Sequence, residues 1–421
     1  MTTTRRSQRE HLPSLLLLPF PPNPASRECL NAAYRPCLKA ALQKLKDDAS
    51  PSSPVLIVAI ACPILHGPYL RHKTLSWAEA QSLVAGVYTV ISVLCAQLSI
   101  ATDVRGGAGS VDARVVLVDH GRDRDRRFTA EDFRPAIEPN STAVVDLPTF
   151  ASAYFPWNLV FHPDSEAGHQ LYATYMRLAE GNQVFLQEQL VTVPGGVTLN
   201  VADAGTSSDA SQSQQTGGYS TVCLGGTFDH LHPGHKLLLA AGAYLLKVPE
   251  RGSSATCHYI IGVTGDEMLK KKKFVEYVQP WPERARNVIE FLASILELSP
   301  TGWKDASSPK IVENGGDYRV TFREGTISIQ CVEFQDLYGP TVTREEIEAL
   351  VVSGETRSGG KAVNDKRIEQ GWKALDVFEV DVLDASEITD EATKTQDFAS
   401  KISSTAIRQQ KAEAAARAGA S

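Results

Sequence analysis

The 421-residue sequence predicts an α/β protein of two separate domains, the second built on a parallel sheet with helices on both faces. Three observations carry this. The length exceeds one ordinary domain and suits two. A composition break, ADAGTSSDASQSQQTGG at 202–218, is small, polar and too poor in apolar side chains to offset its ordering entropy. Beyond it, short strand-like runs alternate with helix-like runs, the pattern of parallel strands joined by helices. The expected organisation is an α/β domain over 1–201, a flexible linker over 202–218 and a second domain over 219–421.

In the first domain PVLIVAIAC (54–62) and ARVVLVDH (113–120) read as buried strands. WAEAQSLVAGVYTVISVLCAQLS (77–99) reads as a largely buried helix. GRDRDRRF (121–128) is a solvated charge cluster. GGAGSVD (106–112) lacks the third glycine of a dinucleotide loop and follows no clear strand. Nothing here identifies a chemistry.

The second domain opens with YSTVCLGG (219–226), an apolar strand ending in glycines. GHKLLLAAGAYLLK (234–247) follows as a helix, then CHYIIGVT (257–264) as a strand. WPERARNVIEFLASILEL (281–298) is a strong amphipathic helix. ISIQCVEF (327–334) and ALVVS (349–353) are strands, GGKAVNDKRIEQGWKAL (359–375) a helix, and VFEVDVL (377–383) a last strand. ISSTAIRQQKAEAAARA (402–418) closes the series as a helix.

A formal charge of −7 argues against a general nucleic-acid or membrane-surface binder, though not against a local pocket for an anion. Seven cysteines, odd in number and without a CxxC pair, suggest reduced thiols in an intracellular protein. No apolar run approaches the ~20 residues of a membrane span. SLLLLPFPP is short and broken by prolines, so no signal peptide is expected. The NST sequon at Asn140 has no secretory context to act in.

Ligands of doubly wound sheets sit where strands run into helices. That rule falls on GGTFDHLHPGHK (225–236). Gly225 and Gly226 allow close backbone approach. Pro233 and Gly234 lie at a helix start, where free N–H groups favour an anion. His232 and His235 stand at the same end; imidazole donates to phosphate oxygens and can carry charge. A zinc site from His230, His232, His235 and Asp229 has no cysteine partner and no second histidine cluster, so no metal site is expected. The plain alternative is a turn with exposed histidines. GETRSGGKA (354–362) is no P-loop: Glu355 stands where the first glycine belongs, and Ala362 replaces the magnesium-binding Ser/Thr.

HPGH at 232–235 is similar to the HxGH signature of the nucleotidyltransferase superfamily, and ISSTAIR at 402–408 to its ISSTxIR signature. KKKKFVEYVQPWPER, YGPTVTREEIEALVVSGET and RSGGKAVNDKR further resemble the eukaryotic and archaeal type of phosphopantetheine adenylyltransferase. The resemblance covers 219–408 and none of the N-terminal half. It implies a Rossmann-like domain that joins ATP and 4′-phosphopantetheine to give dephospho-coenzyme A and pyrophosphate, with Mg²⁺ accompanying ATP. The attacking phosphate is already ionised, so the task is aligning two anions and stabilising the transferring phosphoryl group.

By the same resemblance Thr227 touches both the acceptor phosphate and the α-phosphate, His235 stabilises the transition state and His232 assists. Gly226 and the Phe228 main chain line the nucleotide path, while Asp229 and His230 shape the loop. Ser403, Ser404 and Thr405, also natural helix caps, bind the β- and γ-phosphates with Arg408. Glu355, Thr356 and Arg357 line the adenosine side. Of the run Lys270–Lys273, Lys272 and then Lys270 are the expected substrate lysines.

The short stretch after ISSTAIR leads to the expectation of a monofunctional, fungal-like form, without the dephospho-coenzyme A kinase fused to animal versions. A cytoplasmic location is expected, with nuclear presence allowed. The N-terminal half is open to a role in docking other coenzyme A biosynthetic enzymes. Cytidylyl transfer to phosphocholine-like acceptors, adenylyl transfer to nicotinamide mononucleotide, or a scaffold that has lost the reaction are the alternatives. The cytidylyltransferases carry an RTxGISTT-like motif that ISSTAIR is not.

Overall fold

The computed structural model describes residues 12–48, 53–102, 109–121, 137–153, 156–198, 215–297, 311–381, 383 and 403–419. The chain forms two compact units, one chiefly of residues up to Gly217 and the other starting at Gly218. Most of the expected linker and the charge cluster at 122–128 lie outside the described residues. Gln215–Thr216, at the linker's end, is a short strand.

The first unit carries β1 (Ser14–Leu18), α1 (Arg27–Asp47), β2 (Val55–Cys62), β3 (Leu65–His66), β4 (Thr74–Ser76), α2 (Trp77–Leu98), β5 (Asp112–Asp119), β6 (Val145–Asp146), α3 (Leu147–Ala153), β7 (Val160–Asp164), α4 (Glu166–Ala179), β8 (Leu190–Pro194) and β9 (Gln215–Thr216). Six strands form one sheet in the order β6-β5-β2-β1-β7-β8, all parallel. The SLLLL run is the buried β1, in the middle of this sheet. An all-apolar strand fits that place because both of its faces are covered.

The helix α2 corrects one expectation. Its 22 residues are long and apolar enough to cross a membrane by length and composition. In the fold, 78% of its most apolar stretch is buried, against α1 and β5. Asn140 of the sequon is buried too: its amide donates to the Val144 carbonyl and accepts from the Thr142 N–H, bracing a turn.

The second unit carries β10 (Thr221–Gly226), α5 (Pro233–Ala243), β11 (Cys257–Thr264), α6 (Asp266–Leu269), α7 (Trp281–Leu296), β12 (Val312–Asn314), β13 (Asp317–Phe322), β14 (Ile327–Phe334), β15 (Ala349–Val352), α8 (Arg357–Glu369), β16 (Asp376–Glu379) and α9 (Ser404–Gly419). Its sheet runs β12-β13-β14-β11-β10-β15-β16. The pairs from β14 through β16 are parallel, while β12 and β13 form an antiparallel edge. Counted along the chain, the parallel strands lie in the order 3-2-1-4-5, the Rossmann arrangement. The run β5-β2-β1-β7-β8 of the first unit has the same order, with β6 added at its edge.

Helices cover both faces of this second sheet. On one, α5 and α7 pack together; the Tyr259 hydroxyl donates to the Leu239 carbonyl so closely that a Cβ at Gly242 would lie 2.1 Å from the phenol oxygen. On the other, Cys223, Ile260, Leu350 and Val352 pack with Val363 of α8.

Three element ends differ from the sequence reading. The α5 helix stops at Ala243, and the chain beyond it pairs with Tyr219, which donates its N–H to the Leu245 carbonyl and accepts from the Lys247 N–H. The α8 helix ends at Glu369, before Gly371 at φ +79°. The last strand is only Asp376–Glu379. The β12–β13 hairpin is an addition to the sequence reading, and its Asn314-Gly315-Gly316-Asp317 turn, both glycines at positive φ, is its sequence signal.

Candidate active site

Strands β10 and β15 are neighbours in the sheet but first and fourth in the chain's series, the switch point at which sheets of this kind bind ligands. The 227–232 loop follows β10 at that point. Phe228 and His230 hold φ of +51° and +46°, unusual for non-glycine residues. Such strain persists only where the surroundings over-determine it. Here they do: Phe228 is fully buried, and a Cβ on Gly226 would sit 2.9 Å from its ring. His230 donates its N–H to the Gln279 side chain, and its Nε2 lies 2.8 Å from the Tyr277 carbonyl oxygen.

His232 is the N-cap residue of α5 and makes no side-chain cap bond; Pro233 follows at the first helical position. The helix thus presents an uncapped N-terminus with two histidines on it. The His232 and His235 rings stack at 3.9 Å, and the Phe228 ring lies 5.3 Å from His235. Both Nδ1 atoms are buried and have no hydrogen-bond partner among the described residues. Burial, helped by Lys236 and His230, pushes the His232 imidazole down to about 3. Burial, with His232 and His230, holds His235 well below the ordinary range. Both rings are therefore neutral near pH 7, not the cations the sequence reading allowed. A neutral imidazole still has one N–H to donate.

At the far end of the unit, Ser403 caps α9: its Oγ accepts from the Ala406 N–H at 3.3 Å. Ser404 Oγ donates to the Asp229 carbonyl oxygen at 2.8 Å. Arg408 Nη1 meets Asp229 Oδ2 at 2.5 Å, its Nε donates to the Lys273 carbonyl, and its Nη2 to Thr405 Oγ1. The two turns that the sequence singled out, 175 residues apart, thus meet on one aspartate. Arg408 is buried and ends on Asp229, not in open space.

The other expected residues are placed variously. Thr227 stands at the loop's start, with no side-chain hydrogen bond among the described residues. Lys270 and Lys272 are exposed on the stretch after α6; Lys270 pairs with Glu267 at 2.5 Å. Thr356 bonds back to Ser353, and Arg357 makes two bonds to Glu379 of β16, at 2.6 and 2.5 Å. The turn holding them follows β15, the other strand of the switch point. Ile402 and the side chain of Glu355 lie outside the described residues.

Two cations escaped the sequence reading. Arg284 of α7 is fully buried. It donates to the carbonyls of Thr227, Thr264 and Gln279 at 2.6, 2.7 and 2.9 Å and to Asp266 at 2.6 Å. It clamps the carboxyl ends of β10 and β11 together. Its signal was position: with Trp281, Val288 and Leu292 it falls on the apolar stripe of α7. Lys236, one turn into α5, is likewise buried, beside the histidines.

Comparison with known proteins finds two family matches. Residues 1–199 match a family described as Domain of unknown function (DUF8446), and residues 223–410 match the family described as Cytidylyltransferase-like. An uncharacterized protein of Schizosaccharomyces pombe is 33% identical over 192 residues, covering 46% of this chain and 48% of its own. A phosphopantetheine adenylyltransferase of Saccharomyces cerevisiae is 34% identical over 190 residues, covering 45% of this chain and 48% of its own. The match thus spans about half the length of these fungal relatives. A phosphopantetheine adenylyltransferase of Pyrococcus horikoshii is 30% identical over 165 residues, covering 39% of this chain and 80% of its own.

Proposed function

Because the chain belongs to the phosphopantetheine adenylyltransferase family, within the cytidylyltransferase-like nucleotidyltransferases, we propose that its second unit transfers the adenylyl group of ATP to 4′-phosphopantetheine. One observation carries the reading. The loop that leads into the uncapped start of α5, with its two neutral histidines, is joined through Asp229 to Ser404 and Arg408 of α9. Two N–H-rich turns linked in this way suit a triphosphate.

In the step itself a phosphate oxygen of the acceptor attacks the α-phosphorus of ATP. The bond from that phosphorus to the bridging oxygen breaks, and pyrophosphate leaves with the electron pair. The acceptor phosphate is already anionic, so no side chain has to take a proton. The free N–H groups at the start of α5 and the imidazoles of His232 and His235 stabilise the charge on the transferring group. Their neutrality matters here, because imidazoles that take up a second proton only well below pH 7 keep one N–H donor and the same charge across the neutral range. In this reading Thr227, ahead of the histidines, touches both reacting phosphates. The Ser403–Thr405 turn holds the leaving pyrophosphate, and the turn at 353–357 borders the nucleoside. Lys272, exposed and without an ion pair among the described residues, is the better placed of the two lysines to meet an incoming phosphate. Magnesium enters as part of the MgATP substrate, held by phosphate oxygens.

The test is pyrophosphate release by the full chain with MgATP and 4′-phosphopantetheine, beside MgATP with nicotinamide mononucleotide and MgCTP with phosphocholine. Turnover with the pantetheine acceptor alone supports the reading. Turnover only with one of the others reassigns the acceptor, and no turnover with any removes the enzyme.

A further inference from the structure

We propose that Asp229 and Arg408 form a buried latch that sets the spacing of the two anion-binding turns, making Arg408 a positioning residue and not a phosphate ligand. The proposal rests on the reading above, since the spacing matters for catalysis only if both turns grip one triphosphate.

Asp229 is fully buried and Arg408 is 2% exposed. Every nitrogen of the guanidinium is engaged: Nη1 on Asp229 Oδ2 at 2.5 Å, Nε on the Lys273 carbonyl at 3.0 Å, Nη2 on Thr405 Oγ1 at 3.0 Å. With three of its five N–H donors bonded and 2% of its surface exposed, the group is turned to its protein partners and not to solvent.

Asp229 is equally committed. Its Oδ1 accepts the Gln279 N–H at 2.9 Å, and its carbonyl oxygen accepts the Ser404 hydroxyl at 2.8 Å. The pair therefore ties three separate segments: the loop after β10, the lysine run after α6 and the first turn of α9. Asp229 lies three residues before His232, and Arg408 three residues after Thr405. Arg408 is about one helical turn beyond Thr405 on α9, and Asp229 sits in the loop that leads into α5.

The energetics give a way to tell latch from ligand. Removing one member of a buried pair strands an uncompensated charge and is far more damaging than neutralising both. Residues that act as a pair show this as non-additivity in a double-mutant cycle. The experiment compares the full-length wild type with D229N, R408Q, R408K and the double variant D229N/R408Q. Two readouts are taken: KM for MgATP and kcat from pyrophosphate release, and hydrogen-exchange protection of the α9 amides.

Each single neutral variant should raise KM for MgATP roughly tenfold or more and deprotect α9, and the double variant should recover most of both losses. R408K, keeping the charge but losing the planar fork, should fall between. A double variant no better than R408Q overturns the proposal, because the guanidinium would then act on substrate itself. Unchanged α9 protection in both neutral single variants also overturns it. Wild type that releases no pyrophosphate while α9 protection still follows the pair would leave the latch standing and remove the adenylyl-transfer reading.

Discussion

Replacing Arg284 by methionine should cost the second unit about 3–5 kcal/mol, the scale of breaking a buried charge network. The side chain is fully buried and supplies four hydrogen bonds. The Asp266 partner is 53% exposed, so that bond counts for little. The three bonds to carbonyls remain. A bond from a charged donor is worth about 1.5–3 kcal/mol, so three give roughly 4.5–9. Methionine returns part of this by filling the space and by sparing the desolvation of a guanidinium. For a unit of roughly 200 residues the net loss corresponds to a fall in Tm of about 6–20 °C. Calorimetry of the full chain reads it directly, because the transition of the first unit should stay in place. Arg284→Lys should recover little, since an ammonium on a shorter reach cannot meet three carbonyls at once. A shift below about 1 kcal/mol, or a lysine variant as stable as wild type, would refute the clamp.

The other expectations concern the site and the core. His235→Ala should lower kcat roughly 10²–10³-fold with Tm little changed, the scale for one lost transition-state donor; near-normal turnover would remove that imidazole from the mechanism. Both histidines have folded-state pKa values below their unfolded ones, so they contribute stability above pH ~6.5 that is lost as pH falls toward the folded values. Going from pH 7.5 to 5.5 should cost the second unit about 1–3 kcal/mol more in wild type than in H232Q/H235Q, and equal pH slopes in urea unfolding would contradict the assignment. The Asn287 amide is buried in α7 with no hydrogen-bond partner on either atom among the described residues. Asn287→Leu should therefore be neutral or stabilising by up to about 2 kcal/mol; a loss above about 1 kcal/mol would show that the amide does something the fold needs.

The strand, loop and helix around HPGH were legible because the signal is local: an apolar run, two glycines, then a helix start. The two anion turns could be paired before any coordinates because each carries its chemistry in a few adjacent residues. Their connection could not. Asp229 reads as one more polar loop residue, and only the long return of the chain brings Arg408 onto it. Arg284 and Lys236 were missed for a related reason. A charged side chain on an amphipathic helix is taken to face water unless strand ends, invisible in the helix's own sequence, supply acceptors. The neutral state of the histidines depends on neighbours in the same way. In the first unit, the SLLLL run that forms β1 is short and followed by prolines, features that a leader peptide lacks but a buried strand tolerates. Its apolar run carries no alternation, since both its faces are covered.

That placement of Ser14–Leu18 has a consequence for handling the molecule. The segment has the look of something dispensable near an N-terminus, yet it is bonded to Leu56–Ile60 on one side and to Val160–Phe161 on the other. Trimming it would cut the sheet between β2 and β7 and leave two pieces, each with a raw apolar border open to foreign strands. Aggregation, not a tidy shortened domain, is what a protease or an overcautious cloning boundary would yield there.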